Sequence, residues 1–72
     1  MKSQVVVALN RAFNDSDEKA ILRLKVRWLV YDVEVRRHRS QTEIKLFHSV
    51  NAKPDLLREL NELFPGEHLT EM

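Results

Sequence analysis

The stretch LVYDVEVRRHRSQTEIKLFHSV, residues 29–50, decides how the rest of the chain must fold, because its two halves match each other residue by residue. With a turn at His38-Arg39-Ser40-Gln41, cross-strand partners have position numbers summing to 79: Val35 meets Ile44, Val33 meets Leu46, Tyr31 meets His48 and Leu29 meets Val50. These pairs form one largely apolar face. On the other face Arg36 meets Glu43 and Glu34 meets Lys45, opposite charges that favour this register over its neighbours. Alternation of period two and enrichment in Val, Ile, Tyr and Phe both mark strands. The turn has neither Gly nor Asn-Gly, so a four-residue loop built on a type I turn is expected.

Upstream of the hairpin, Ala20, Leu22, Leu24, Val26 and Trp28 alternate with Arg23, Lys25 and Arg27, which reads as a third strand with a basic, wet face. The alternation changes phase between Trp28 and Val30, and a β-bulge there would bend one long middle strand. A competing reading is a helix that opens with an Asp15-x-x-Glu18 capping box and carries Ile21, Leu24, Trp28, Tyr31 and Val35 as a seam. Its polar residues fall on two opposed stripes and it forfeits the hairpin pairing, so the strand is preferred.

Residues 3–13 also support two readings. Val5, Ala8, Leu9, Ala12 and Phe13 fit a helix with one buried face, with Ser3 as N-cap and Asn14 as stop. Three consecutive valines argue instead for a strand over residues 4–9, since β-branched side chains lose rotamer freedom in helices. The helix is preferred because its match runs on through Phe13. At the other end, Pro54 and Asp55 suit a first helical turn, Leu56, Leu57, Leu60, Leu63 and Phe64 form one stripe, and Pro65-Gly66 stops it. Residues 67–72 read as a short acidic tail that frays.

The expected fold is therefore α+β, a single domain over residues 1–72. It has a three-stranded antiparallel sheet with a long bent middle strand, covered on one face by a C-terminal and an N-terminal helix in the order α-β-β-β-α. This order is similar in topology to the double-stranded-RNA-binding domain. That family opens its last helix with a lysine cluster and carries a Gly-Pro-x-His type loop, whereas this chain has Ala52-Lys53-Pro54 and one glycine, Gly66, so the resemblance ends at topology.

A chain of 72 residues is near the lower size limit for a self-sufficient core, and without cysteine it has no disulfide to staple it, which makes a homodimer an expectation. The lack of cysteine also excludes thiolate metal sites and fits a reducing compartment. No apolar run approaches the roughly 20 residues that span a bilayer, and no secretory leader pattern is present, so a cytoplasmic protein without membrane contact is expected. Net charge is +1, but Lys19, Arg23, Lys25, Arg27, Arg36, Arg37, Arg39 and Lys45 crowd the middle while the last third is acidic.

That distribution selects the candidate site. Arg23, Lys25 and Arg27 on one strand face, the hairpin tip Arg36, Arg37, His38 and Arg39, and Lys45 could follow the phosphates of a nucleic acid or hold an acidic protein. Solvated basic faces that merely discourage edge-to-edge aggregation look the same in sequence. Val30 and Phe47 fall outward, and together with Trp28 at the phase change they suit a protein interface, while Phe47 beside arginines would also suit base stacking. His38, His48 and His68 lack the short spacing of a metal site, and no nucleophile elbow or Gly-rich phosphate loop occurs. No metal and no cofactor are expected. The reading is a small non-catalytic binding or regulatory protein that acts on nucleic acid or, alternatively, as an inhibitor or adaptor of a larger protein.

Overall fold

The computed structural model describes residues 3–71, and its hairpin follows the pairing that the charges and apolar residues demand. Strands β2 (Asp32–Arg37) and β3 (Thr42–His48) pair with Val35 opposite Ile44, Val33 opposite Leu46, Glu34 opposite Lys45 and Arg36 opposite Glu43. The turn closes with the His38 N–H donating to the Gln41 carbonyl at 2.9 Å. The hairpin is shorter than its pattern suggests. Tyr31 and Val50 lie outside the ladder and are exposed, while Leu29 and Val30 leave the sheet altogether and plug the core.

Four strands make the sheet, in the order β2-β3-β1-β4, with every neighbour antiparallel. β1 (Ser3–Leu9) occupies the place that the N-terminal helix was expected to fill. Its valines decide this: Val5, Val7 and Leu9 are buried on one side, and hydrogen-bonded strands lie along both edges. Ala12 is exposed and Phe13 packs on the core from a loop, so the apparent helical continuation is a coincidence of spacing.

The expected third strand is a helix, α1 (Asp15–Val26). Asn14 caps it, with its side chain accepting from the Asp17 N–H at 3.0 Å while the Asp17 carboxylate accepts from the Asn14 N–H at 3.0 Å. The capping box thus sits one residue earlier than Asp15-x-x-Glu18. Only Asp17, Ile21 and Leu24 are buried along α1; Leu22 and Val26, two of the residues that produced the alternation, face solvent. There is no bulge at Trp28, because the chain turns there out of a helix rather than along a strand.

A 3-10 turn, Val50–Ala52, leads into α2 (Lys53–Leu63), whose Leu56 and Leu60 are buried. Residues expected to fray instead form β4 (His68–Glu71), which pairs with β1. The element order β-α-β-β-α-β and the strand order together are those of a ferredoxin-like, split βαβ arrangement: each crossover helix carries the chain past one intervening strand. The class is α+β with an antiparallel sheet and two helices, but with four strands rather than three. The α-β-β-β-α order, and with it the topological likeness to the double-stranded-RNA-binding domain, does not hold.

Val5, Val7 and Leu9 of β1 and Ile44 and Leu46 of β3 share one core with Ile21, Leu24, Leu56, Leu60 and Phe64. Both helices therefore cover the same face, and the other face of the sheet is bare. The strand registers put three rows of residues on that bare face: Asp32, Phe47 and Gln4; Glu34, Lys45, Val6 and Thr70; Arg36, Glu43, Ala8 and His68.

Candidate functional site

The basic residues do not form one surface. Arg23, Lys25 and Arg27 lie on α1, where a rotation of about 100° per residue spreads them around the helix instead of aligning them. Arg27 is engaged by Glu59 of α2, and Lys45 lies 4.0 Å from Glu34 across the hairpin. Arg36 stands on the bare face opposite Glu43, whereas Arg37, one residue on, belongs to the helix side and sits 5.3 Å over the Phe13 ring. His38 and Arg39 are exposed in the turn. On the bare face Asp32, Glu34 and Glu43 offset Arg36 and Lys45, so this face is mixed in charge rather than basic.

The three candidate interface residues also separate. Val30 is 2% exposed and is a core residue, which removes it from any surface. Phe47 is half-buried in the bare face. Trp28 is 87% exposed, an unusual state for the largest apolar side chain.

Local geometry explains how Trp28 is held there. The Trp28 N–H donates to the Lys25 carbonyl and the Leu29 N–H to the Leu24 carbonyl, both at 3.1 Å, while buried Leu29 and Leu24 sit at the paired apolar positions. These are the bonds of a Schellman motif, whose turning residue takes a left-handed backbone and is usually glycine. Here that residue is Trp28, at φ 60°. A bulky residue in this region is strained, at about 1–2 kcal/mol. Leu22 and Val26, 60% and 68% exposed, lie one turn apart on α1, and Trp28 and Tyr31 are exposed past its C-terminal end. The sequence reading missed Leu22 and Val26 by turning them inward.

Among the described residues, two recesses gather polar groups from different elements. One, of about 320 Å³, lies between the start of α1 and the end of α2 and is lined by Arg11, Lys19, Arg23 and Phe64 among others. In it Arg11 grips the buried Asp17 with two parallel bonds of 2.6 and 2.8 Å. The Arg11 hydrogen bond holds the Asp17 carboxyl below its ordinary value against the opposing effect of burial, and the cap bond from Asn14 adds to it. The same hydrogen bond raises the Arg11 guanidinium. The other recess, of about 310 Å³, brings His38, His68 and Glu43 to one end of the sheet. His48 is buried elsewhere, with its Nδ1 and the Ser49 carbonyl 2.8 Å apart. Among the described residues no three His, Asp or Glu side chains converge to hold a metal ion, and no helix is long and apolar enough to cross a membrane.

No protein-family model matches the sequence, and no curated protein is significantly similar to it. The structure is similar to a solved structure of a divalent cation tolerance protein (CutA1) from Thermus thermophilus, with a TM-score of 0.73 over 100% of this chain and 82% of that chain. Sequence identity is 11%, so the likeness is one of fold.

Proposed function

We propose that this chain is a small non-catalytic adaptor or inhibitor that docks an acidic segment of a larger protein on the outer side of α1, through Leu22, Val26 and Trp28. The observation that carries the reading is Trp28 itself: an 87% exposed tryptophan kept in a left-handed backbone that glycine would adopt without strain. Strain of this kind persists where a position serves something other than stability. The partner's charge follows from the surroundings. Charge is divided along α1, with Asp15 and Glu18 in its first turn beside Leu22 and Arg23 and Lys25 in its last turn toward Trp28, so an acidic partner meets complementary charge at the Trp28 end of the helix.

Affinity capture from the source cell, with and without nuclease, tests this. The expected result is a captured protein that survives nuclease, is released by salt, and is lost with Trp28→Ala and Leu22→Ala but kept with Phe47→Ala. Capture that ignores Trp28 and Leu22 overturns the reading.

A second reading, nucleic-acid binding, is supported by the run Arg36, Arg37, His38 and Arg39 at an exposed hairpin end. It predicts gel shifts with duplex or single-stranded probes at low salt that weaken with Arg37→Ala combined with Arg39→Ala. Homodimer formation would use the same exposed apolar residues, and light scattering over a concentration series separates it from capture of a different protein.

A further inference from the structure

We propose that the cleft between the first turns of α1 and the end of α2 is a binding site for a small organic phosphate. Three features meet there. Arg11 is already oriented, because its two terminal nitrogens are anchored on Asp17 at 2.6 and 2.8 Å and one also reaches the Ala12 carbonyl at 3.2 Å. That anchoring fixes the plane of the guanidinium, whose charge the Asp17 carboxylate offsets, so less order is lost if its unused N–H groups bond a ligand. Lys19 and Arg23, four residues apart on one side of α1, line the same cleft, and neither has a carboxylate partner among the described residues.

Asp17 and Arg11 offset each other, Glu67 acts on Arg11 from a distance, and Asp15 and Glu18 line an adjoining groove that shares Lys19 with the cleft. The positive end of α1 adds to the field without making the site. Leu63 and the edge of the largely buried Phe64, at the end of α2, add an apolar portion to the lining beside the polar groups of α1. An anion with a small apolar body meets both portions, and a cleft of about 320 Å³ is at the small end of ligand sites. The class is thus a phosphate monoester with a small apolar group, rather than bare phosphate.

The test is titration of the full chain with phenyl phosphate and, separately, inorganic phosphate, followed by amide shifts and calorimetry. Saturable shifts confined to the start of α1 and the end of α2, with phenyl phosphate the tighter, are expected. Lys19→Ala with Arg23→Ala should weaken binding by about tenfold or more, because charge-assisted bonds to phosphate are lost. Both side chains are exposed, so the fold is retained. Lys25→Ala with Arg58→Ala removes the same charge elsewhere and should leave affinity within about twofold. Shifts that do not saturate, that spread over the surface, or that respond equally to the two double variants overturn the proposal. Arg23 also belongs to the charge invoked for protein docking, but Trp28 and Leu22 do not line this cleft, so Trp28→Ala should leave phosphate binding unchanged and separates the two readings.

Discussion

Trp28 carries a cost that a single substitution can measure. Replacing it with glycine removes the left-handed strain and leaves the Schellman bonds in place, offset in part by the greater freedom of glycine in the unfolded chain. Trp28→Gly should therefore stabilise the protein by about 1 kcal/mol, a rise in Tm of roughly 4–8 °C by thermal unfolding. The same variant should fail to capture the partner, and an unchanged or lower Tm would show that the tryptophan packs after all. Asp17 works in the opposite direction. It is buried, satisfies the Arg11 fork and the helix cap together, and its truncation to alanine should cost about 2 kcal/mol or more by denaturant titration. Its carboxyl titrates lower in the folded state than in the unfolded one, so its contribution is complete above the unfolded value of about 4. As pH falls through that value toward the folded one, stability should drop in the wild type, and the drop should be smaller in Asp17→Asn.

At the scale of elements, the hairpin owes its register to side-chain agreement more than to ion-pair energy. The Glu34–Lys45 pair is 4.0 Å long with Glu34 half-exposed, and exposed pairs contribute little. Lys45→Ala should change stability by less than about 1 kcal/mol in chemical denaturation while the pairing, read from cross-strand NMR contacts, stays the same. β4 is the opposite case. It is a four-residue edge strand whose chief apolar anchor is Leu69, opposite Val7 of β1. Leu69→Asp should release it, and hydrogen exchange should then show protection lost over residues 68–71 but kept in the β1–β3 ladder. Protection lost throughout would mean that β4 and the core unfold as one unit.

Over the whole molecule, a core shared by two helices and one sheet face leaves little redundancy in 72 residues. Leu60 is fully buried, and Leu60→Ala should cost about 2–5 kcal/mol. In a domain this small that approaches the full stability, so the variant should be largely unfolded by circular dichroism at 37 °C. The division of surfaces also belongs to this scale. With both helices on one side, the exposed Leu22 and Val26 of α1 and the polar cleft at Arg11 lie on the helix layer, while the bare face carries mixed charge.

Sequence alone determined the hairpin register and α2, because each is a local pattern: cross-strand partners within a short loop, and a leucine stripe bounded by Pro54 and Pro65-Gly66. It did not determine α1, and the reason is physical. Leu22, Val26 and Trp28 are apolar yet exposed, so they mimic a strand's alternation, and the helix's stop signal is hidden because a tryptophan stands where glycine usually would. The candidate site was legible only in Trp28 and in the hairpin tip. Arg11, Asp17 and Asn14 came together through a capping box read one residue late, and Lys19 and Arg23 gained their cleft only when α2 laid Phe64 beside them. Tertiary structure alone decided that residues 3–9 become a central strand and residues 68–71 an edge strand, since a β-strand is stable through partners distant in sequence that no local window contains.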